Sequence, residues 1–443
     1  NGGRKIMSIF DNIEKDKIIA IKTLEKAKKI GIEKVIVSIG RGESHELNVH
    51  SNIIDLFRTT FSESISITGY IGHKKGSIGI NCLNFEEIET QLDILKSIIN
   101  SSFEDNANEL APFEDKKEFS SGNLEFSKEE MVVRLEEFIE DSRKKFPIIN
   151  LEEAILDYSR GYSYFLTSNG TEFLDKKGKF SATTTFSSRE KDKVSSFNFF
   201  SISKKDLKKP ILEWENVELI LKQNTEQIDT KPISDKFEGS IIFTPNSVTE
   251  LISFLIGSLK DYEIISGTSI YKNKVNSQIA SDILTIESNP TSELWATKGF
   301  WTSDGFLTKP ITILEKGILK TLLLSYYGSL KTGKPRALNY GSGIIIKGKT
   351  KNFDEIIKNT KKGILLERIS GGEVSPNGDF SAVAKNSYFI KDGQITYPIK
   401  ETMISGNYAE LLKNITDISC EYVNDGYSFL PYIKADGATI SGK

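Results

Sequence analysis

Three histidines, two cysteines and many carboxylates are the side chains of this 443-residue chain that could bind a metal or carry an acid–base step. The histidines, His45, His50 and His73, all fall in the first fifth of the sequence. A zinc peptidase site asks for two histidines on one helix face with a glutamate as base. That spacing does not occur. His45 and His50 stand five apart in strand-like sequence and so project to opposite faces. They read as exposed or loosely packed side chains. His73 sits in the turn "GHKKG" and reads as solvent-facing. Beyond His73 there is no imidazole, so a reaction sited there proceeds without the commonest general base and the commonest zinc ligand.

The other reactive types offer weaker patterns. There is no Gly-x-Ser-x-Gly elbow and no Walker loop. "RGES", ending at Ser44, lacks a strand–turn–helix setting, and no local pattern supports a Ser-His-Asp triad on the N-terminal histidines. Cys82 and Cys420 are far apart, which fits a reducing cytoplasm better than a disulfide framework. Cys420, after "LLKNITDIS", reads as a small buried hydrophobe. The adjacent Tyr326 and Tyr327 in "LLSYYGSLKTG" point to opposite faces and read as packing residues. Carboxylate pairs are as frequent as a 27% charged chain makes them and do not discriminate.

Composition narrows the class. The chain is 38% hydrophobic, long enough for two or three domains with sizeable cores. Net charge is −3 with no basic stripe, so nucleic acid is not an expected partner. The longest apolar runs, such as "LISFLIGSL" at 251–259, are too short to span a bilayer, so no membrane partner is expected and the location reads as cytoplasmic. Residues 1–6 read as a vector remnant before a native start at Met7.

Periodicity then supplies the elements that must position any site. Apolar residues Ile18, Ile21, Leu24 and Ala27 recur near helical spacing over 14–30, with Gly31 as a stop. Residues 33–81 read as a meander of five short strands, and a helix covers about 85–99. Residues 101–126 are acidic, Ser/Asn-rich and aperiodic, and read as a surface connection. Ser127 and Glu130 open a helix as a capping box. A second strand set follows, whose "LTSNGTEFL" echoes "VHSNIIDLFRTTF" and hints at duplication. Ser247 and Glu250 read as a capping box for a helix over 248–260, with Leu251, Phe254, Leu255 and Leu259 on one apolar face. From about 290 the chain is β-rich, and Asp392-Gly393 between alternating runs is a strong hairpin signal. The expected class is α+β, with antiparallel sheets and interspersed helices. The expected layout is an N-terminal helix-plus-meander domain over 7–100, a linker over 101–126, a central domain over 127–235 and a β-rich C-terminal domain over 236–443.

Several segments carry a resemblance. They are "GSIIFTPNSVTELISFLIGS", "LTIESNP", "DGFLTKPITILEKGILKTLLLSYYGSLKTG", "GGEVSPNGDFSAVAKNSYFIKDGQITYPIKETMISGN" and "FLPYIKADGATISG". In this order, over about 239–442, the C-terminal half resembles the TldD/TldE (PmbA) family, in its TldE/PmbA branch. The resemblance implies a cytosolic metalloprotease that degrades unfolded peptides and trims precursor peptides. It implies a TldD-type subunit that carries zinc on a His-Glu-x-x-x-His helix, completed by a C-terminal cysteine. By spacing from "IIFTP", the two histidine positions fall on Ser253 and Ser258 and the glutamate position on Phe254, while Gly257 keeps the family glycine. The cysteine motif is absent, since Cys420 stands in "ISCEYVN". The chain therefore reads as the non-catalytic subunit, with no cofactor of its own and a TldD-type partner or a second copy beside it. A stand-alone homo-oligomeric peptide-binding protein and a hydrolase with a metal-free site are the alternatives. The irregular run Ser370–Asp379 reads as a lining element of the peptide channel, with Gly371, Gly372, Asn377 and Asp379 as its candidates.

Overall fold

Apolar–polar alternation from Lys34 onward builds strands much longer than the glycines in them suggest. The computed structural model describes residues 8–442; the stretch 1–6, read as a vector remnant, and Met7 lie outside the described residues. The first sheet contains β1 (Lys34–His50), β2 (Ile53–Ile71), β3 (Lys74–Ile80), β4 (Lys117–Gly122), β5 (Ile149–Thr167), β6 (Glu172–Glu190), β7 (Lys193–Val194) and β8 (Asn198–Lys204). Its order is β3-β2-β1-β5-β6-β4, with β7 and β8 also on β6.

The five short strands expected over 33–81 are thus three. Gly40 and Gly42 do not end a strand; they lie inside β1, where the chain runs antiparallel to β2 without a turn. The turn falls at Ser51-Asn52, both at positive φ (49° and 66°). The segment 101–126, read as a connection, contains β4, which pairs parallel with β6. Its sequence "KEFSSG" lacks alternating apolar residues, so no periodicity marks it as a strand. β1 pairs with β5 from Ile36↔Thr167 to His50↔Glu153, so the stretches 7–100 and 127–235 contribute to one sheet.

Helices α1 (Ile13–Lys29), α2 (Phe85–Ser101), α3 (Lys128–Lys145) and α4 (Val217–Glu226) accompany this sheet. The spacing in α1 is helical, but Ile18 and Ile21 remain exposed. The helix instead turns Asp16, Ala20, Thr23 and Ala27 inward. The reason is electrostatic: Asp16 is fully buried and accepts from Arg41 (2.8 and 3.1 Å) and from the Tyr162 hydroxyl (2.5 Å). Ser127 caps α3 through the Glu130 amide, which is the serine half of the expected capping box; its hydroxyl donates to Glu129.

His45 departs from expectation. It is buried, its Nε2 lies 2.5 Å from Glu43 Oε1, and its ring lies 4.2 Å from that of Phe126. It shares the inward parity of Val35, Val37, Ile39, Leu47 and Val49 on β1. His50 is exposed beside Asp55, and His73 is partly exposed.

The second sheet contains β9 (Lys236–Phe243), β10 (Thr285–Ser288), β11 (Ile311–Glu315), β12 (Ile318–Leu319), β13 (Ile344–Lys347), β14 (Lys362–Leu366) and β15 (Arg368–Ser370). It continues through β16 (Asp379–Lys385), β17 (Tyr388–Lys391), β18 (Gln394–Pro398), β19 (Thr402–Asn407), β20 (Ile415–Asn424) and β21 (Ser428–Ser441). Interspersed are α5 (Pro245–Ser258), α6 (Asp261–Ser266), α7 (Tyr326–Thr332), α8 (Phe353–Lys358) and α9 (Tyr408–Lys413). Pairing is mostly antiparallel, with β9/β14 and β13/β21 parallel, so the class is α+β. The Asp392-Gly393 turn joins β17 and β18 as the sequence predicts, both residues at positive φ. β21 pairs with β9, β13, β19 and β20 and forms the spine of the sheet. Cys420 is free and exposed, not buried. It lies where the β20/β21 register slips between Ile418 and Tyr422, which breaks the alternation that would have turned it inward.

Gly161 is where β5 closes on β1: a Cβ there would lie 2.3 Å from the Arg41 carbonyl oxygen. Gly161→Ala should therefore cost about 1–3 kcal/mol by overpacking. Urea unfolding checks this; an unchanged midpoint would show that the two hairpins can separate at no cost.

Candidate functional site

The site is built on α5. Thr244 ends the run from β9, caps the helix through the Ser247 amide, and is followed by Pro245 at the first helical position. The helix so starts earlier than a Ser247/Glu250 capping box places it. Proline at N1 is pre-shaped for a helix start, and Thr-Pro is the stronger signal. The Ser247 hydroxyl turns instead to the Leu366 carbonyl (2.6 Å).

Val248, Leu251, Leu255 and Leu259 are fully buried in the core that α5 shares with β9 and β21. Phe254 does not share their face; it is half-buried at its flank. Its ring centroid lies 6.3 Å from Tyr271 and 5.9 Å from Tyr408, and Tyr408 stacks on Phe380 at 4.3 Å. Ser253 is exposed. Ser258 is buried, and its hydroxyl donates to the Phe254 carbonyl (2.8 Å).

These residues do not fit a metal. The Ser258 hydroxyl is committed to its own helix, Ser253 is a neutral alcohol at the surface, and the Phe254 ring can neither ligate nor take a proton. Among the described residues, no group of three or more His, Cys, Asp or Glu side chains could hold an ion.

The run Ser370–Asp379 folds against the same helix. Gly371 and Gly372 adopt left-handed φ (67° and 84°). A Cβ at Gly371 would meet nothing within 4 Å, whereas one at Gly372 would lie 2.2 Å from the Ser381 carbonyl oxygen. Gly378 approaches the Phe254 ring, which a Cβ would meet at 3.0 Å. Asn407 donates to Asp379 Oδ1 (2.8 Å) and to the Asn377 carbonyl (3.0 Å) while capping α9. The amides of Asn407 and Asn377 hold the Asp379 carboxyl below the usual carboxylate range. Asn377 and Asp379 thus tie the run to α9, while Gly371 and Gly372 stand exposed. Of the sequence candidates, the structure brings Phe254 to this run through Gly378; Ser258 is turned into the core.

Two cavities lie near these residues. One, of about 340 Å³, lies beside Asn377 and Asn407 and is lined by Tyr271, Lys274 and Glu410. The Tyr271 hydroxyl is buried there without a hydrogen-bond partner. The other, of about 250 Å³, takes in Asn246 and Glu250 of α5 together with Asn198, Glu367 and Arg368. Glu367 is almost fully buried, accepting from Asn246 (2.6 Å) and Asn198 (3.4 Å). Burial pushes its carboxyl above the usual range. Sequence reasoning missed Tyr271 and Glu367. Nothing local marks Tyr271, while Glu367 directly follows the apolar run "GILL" of β14, a position where a charge is costly.

Residues 237–442 match the PmbA/TldA metallopeptidase C-terminal domain. The Metalloprotease PmbA homolog of Buchnera aphidicola (subsp. Acyrthosiphon pisum) is 25% identical over 433 residues, covering 94% of this chain and 95% of that protein. The Zinc metalloprotease TldD homolog of Saccharolobus solfataricus is 26% identical over 198 residues, 42% of this chain and 44% of its own length. The crystal structure of TldE from Thermococcus kodakarensis shares the fold with a TM-score of 0.82 at 20% identity, covering 96% of this chain and all of that one. Residues 237–442 thus form a PmbA/TldA-type C-terminal domain, and along nearly its whole length the chain is similar to proteins of the TldD/PmbA family. Among the described residues no helix is long and apolar enough to cross a membrane.

Two outcomes follow for the loop and its neighbour. Gly372→Val should lower stability by about 2 kcal/mol or more, from left-handed strain and the Ser381 contact. Gly371→Asn, in open space and in a conformation asparagine tolerates, should stay within about 0.5 kcal/mol. Thermal melts of both variants check the contrast, and equal shifts would contradict it. Glu367 has a raised folded pKa, so its contribution to stability is complete below about pH 4.3 and is lost as pH rises through the folded value. Glu367→Gln should therefore gain stability relative to wild type as pH rises above that range. Urea titrations at acid and neutral pH check it; a gap that narrows with pH would reverse the sign.

Proposed function

We propose that this chain is the non-catalytic, TldE/PmbA-type subunit of a cytoplasmic, oligomeric peptidase. It holds unfolded or precursor peptides beside the zinc of a TldD-type partner. The observation that carries the reading is α5: where the resemblance expects two histidines and a glutamate, Ser258 is spent on a helix carbonyl, Phe254 is packed among tyrosines, and Ser253 faces out. A chain so built contributes through a neighbour's chemistry.

The surroundings of α5 suit that role. Among the described residues β15 pairs with β16 alone, so no strand lies along its other edge next to Gly371 and Gly372. An extended peptide adds to such an edge through main-chain hydrogen bonds whatever its sequence. The exposed glycines remove side chains that would obstruct it. Permanent partners of this kind typically bury more than about 2,000 Å².

The test is reconstitution with a TldD-type chain carrying His-Glu-x-x-x-His. The mixed complex should cleave an unstructured peptide and lose activity to a chelator, with zinc tracking the partner in metal analysis. This chain alone should show neither stoichiometric zinc nor cleavage. Cleavage by this chain alone, or failure of the two chains to associate at micromolar concentration, would overturn the reading.

A further inference from the structure

The face of the first sheet turned away from α1 carries a trough that nothing above uses. Its floor follows the strand register. One row runs Ser64, Gly40, Ser163, Asp175 across β2, β1, β5 and β6; the next runs Ser62, Gly42, Gly161, Lys177. Four strands at about 4.8 Å spacing make it roughly 14 Å wide, enough for several residues of extended chain. These residues line a cavity of about 360 Å³. Ser62, Ser64 and Ser163 are exposed, and the glycines leave the floor bare.

Asp175 is the exception on this floor. It is 1% exposed, and neither carboxylate oxygen has a hydrogen-bond partner. Its one charged neighbour is Lys177, whose Nζ forms an ion pair with Oδ2 at 2.8 Å, and Oδ1 has no donor. Buried carboxylates in folded proteins are normally satisfied. The neighbouring arginines do not serve it: Arg41 is held by Asp16 and Glu63, and Arg160 by Glu43. Lys179 is engaged by the Tyr427 hydroxyl. Lys177 itself is 41% exposed, with its ammonium at the mouth of the trough beside Asp175.

We propose that this trough is a subsite for a basic residue of an extended peptide, whose ammonium or guanidinium replaces Lys177 at the Asp175 carboxylate. The inference rests on the reading of the chain as a peptide-holding subunit and names the substrate feature it selects. A lysine or arginine side chain reaches Asp175 from above while the peptide backbone lies across the glycines, within reach of the serine hydroxyls. Charge-assisted hydrogen bonds of this type are among the stronger ones.

The experiment measures binding by fluorescence anisotropy to the full chain without a partner. The probes are labelled, unstructured Gly/Ser/Ala peptides with one central lysine, norleucine or glutamate. The lysine peptide should bind at least about tenfold more tightly than the norleucine peptide. Asp175→Asn should erase that preference, and Lys177→Met should strengthen lysine binding. Should Asp175→Asn not fold, Ser163→Lys provides the second arm. It places an ammonium directly opposite Asp175, and should raise the melting temperature while abolishing lysine selectivity. Equal binding of the lysine and norleucine peptides, no binding of any peptide, or a lysine preference that survives Asp175→Asn or Ser163→Lys would overturn the subsite. Reconstituted activity with a TldD-type chain tests the parent reading separately, so the failure of one is distinguishable from the failure of the other.

Discussion

The position of α5 is dictated by the two strands beneath it. β9 and β21 pair antiparallel, and Val248, Leu251, Leu255 and Leu259 bury their side chains in the same core. Each such side chain stabilises by about 1.5–3 kcal/mol relative to exposure, so rotating the helix by one residue would forfeit most of its anchoring. With the leucines committed, Ser258 must point inward, Ser253 outward, and Phe254 must stand at the rim. Phe254 in turn crowds the loop above it, since a Cβ at Gly378, itself at left-handed φ, would meet its ring at 3.0 Å. The chemistry available at this helix is therefore a consequence of packing registered in the sheet.

Buried polar groups separate into two kinds. Asp16 is satisfied by Arg41 and Tyr162 and fastens α1 to the first sheet. His45 is similarly absorbed, between Glu43 and Thr59. These networks are complete and explain local architecture. Asp175 and Tyr271 are of the other kind, buried beside cavities without hydrogen-bond partners, Asp175 holding only the ion pair to Lys177. Burial in both cases pushes the group's pKa up, favouring its protonated form. Satisfaction by hydrogen bonds, rather than burial alone, is what separates the first pair from the second.

What the sequence made legible was local and periodic. The Asp392-Gly393 hairpin, the Ser51-Asn52 turn and the cap at Ser127 each depend on a few adjacent residues, and each stands where its chemistry puts it. Gly40 and Gly42 misled because glycine serves close strand approach as well as turns: a Cβ at Gly42 would lie 2.7 Å from Ser62 Oγ. The burial of His45 could have been read from the parity of Val35 through Val49, had the strand been recognised as one. By contrast, the exposure of Cys420 follows from a register slip against β21, and the rim position of Phe254 from which helix face β9 and β21 cover. Both are set by pairings between distant segments, and no window of sequence contains them. Glu367 and Tyr271 belong to the same class, since their partners and cavities come from other parts of the chain.

The long reach of β21 also orders events in time. Phe243 of β9 pairs with Ile433 of β21, a contact between residues far apart along the chain. The strands of the first sheet all precede residue 205, so it can close while the rest is still being made. At typical synthesis rates of about 5–20 residues per second, β9 and α5 wait roughly ten to forty seconds for that partner strand. Throughout that interval the leucine face of α5 has no floor and β9 has an open edge, the two features that chaperones recognise and that drive nascent chains to aggregate. The hydrophobic register that anchors the finished helix is thus left uncovered during its biosynthesis.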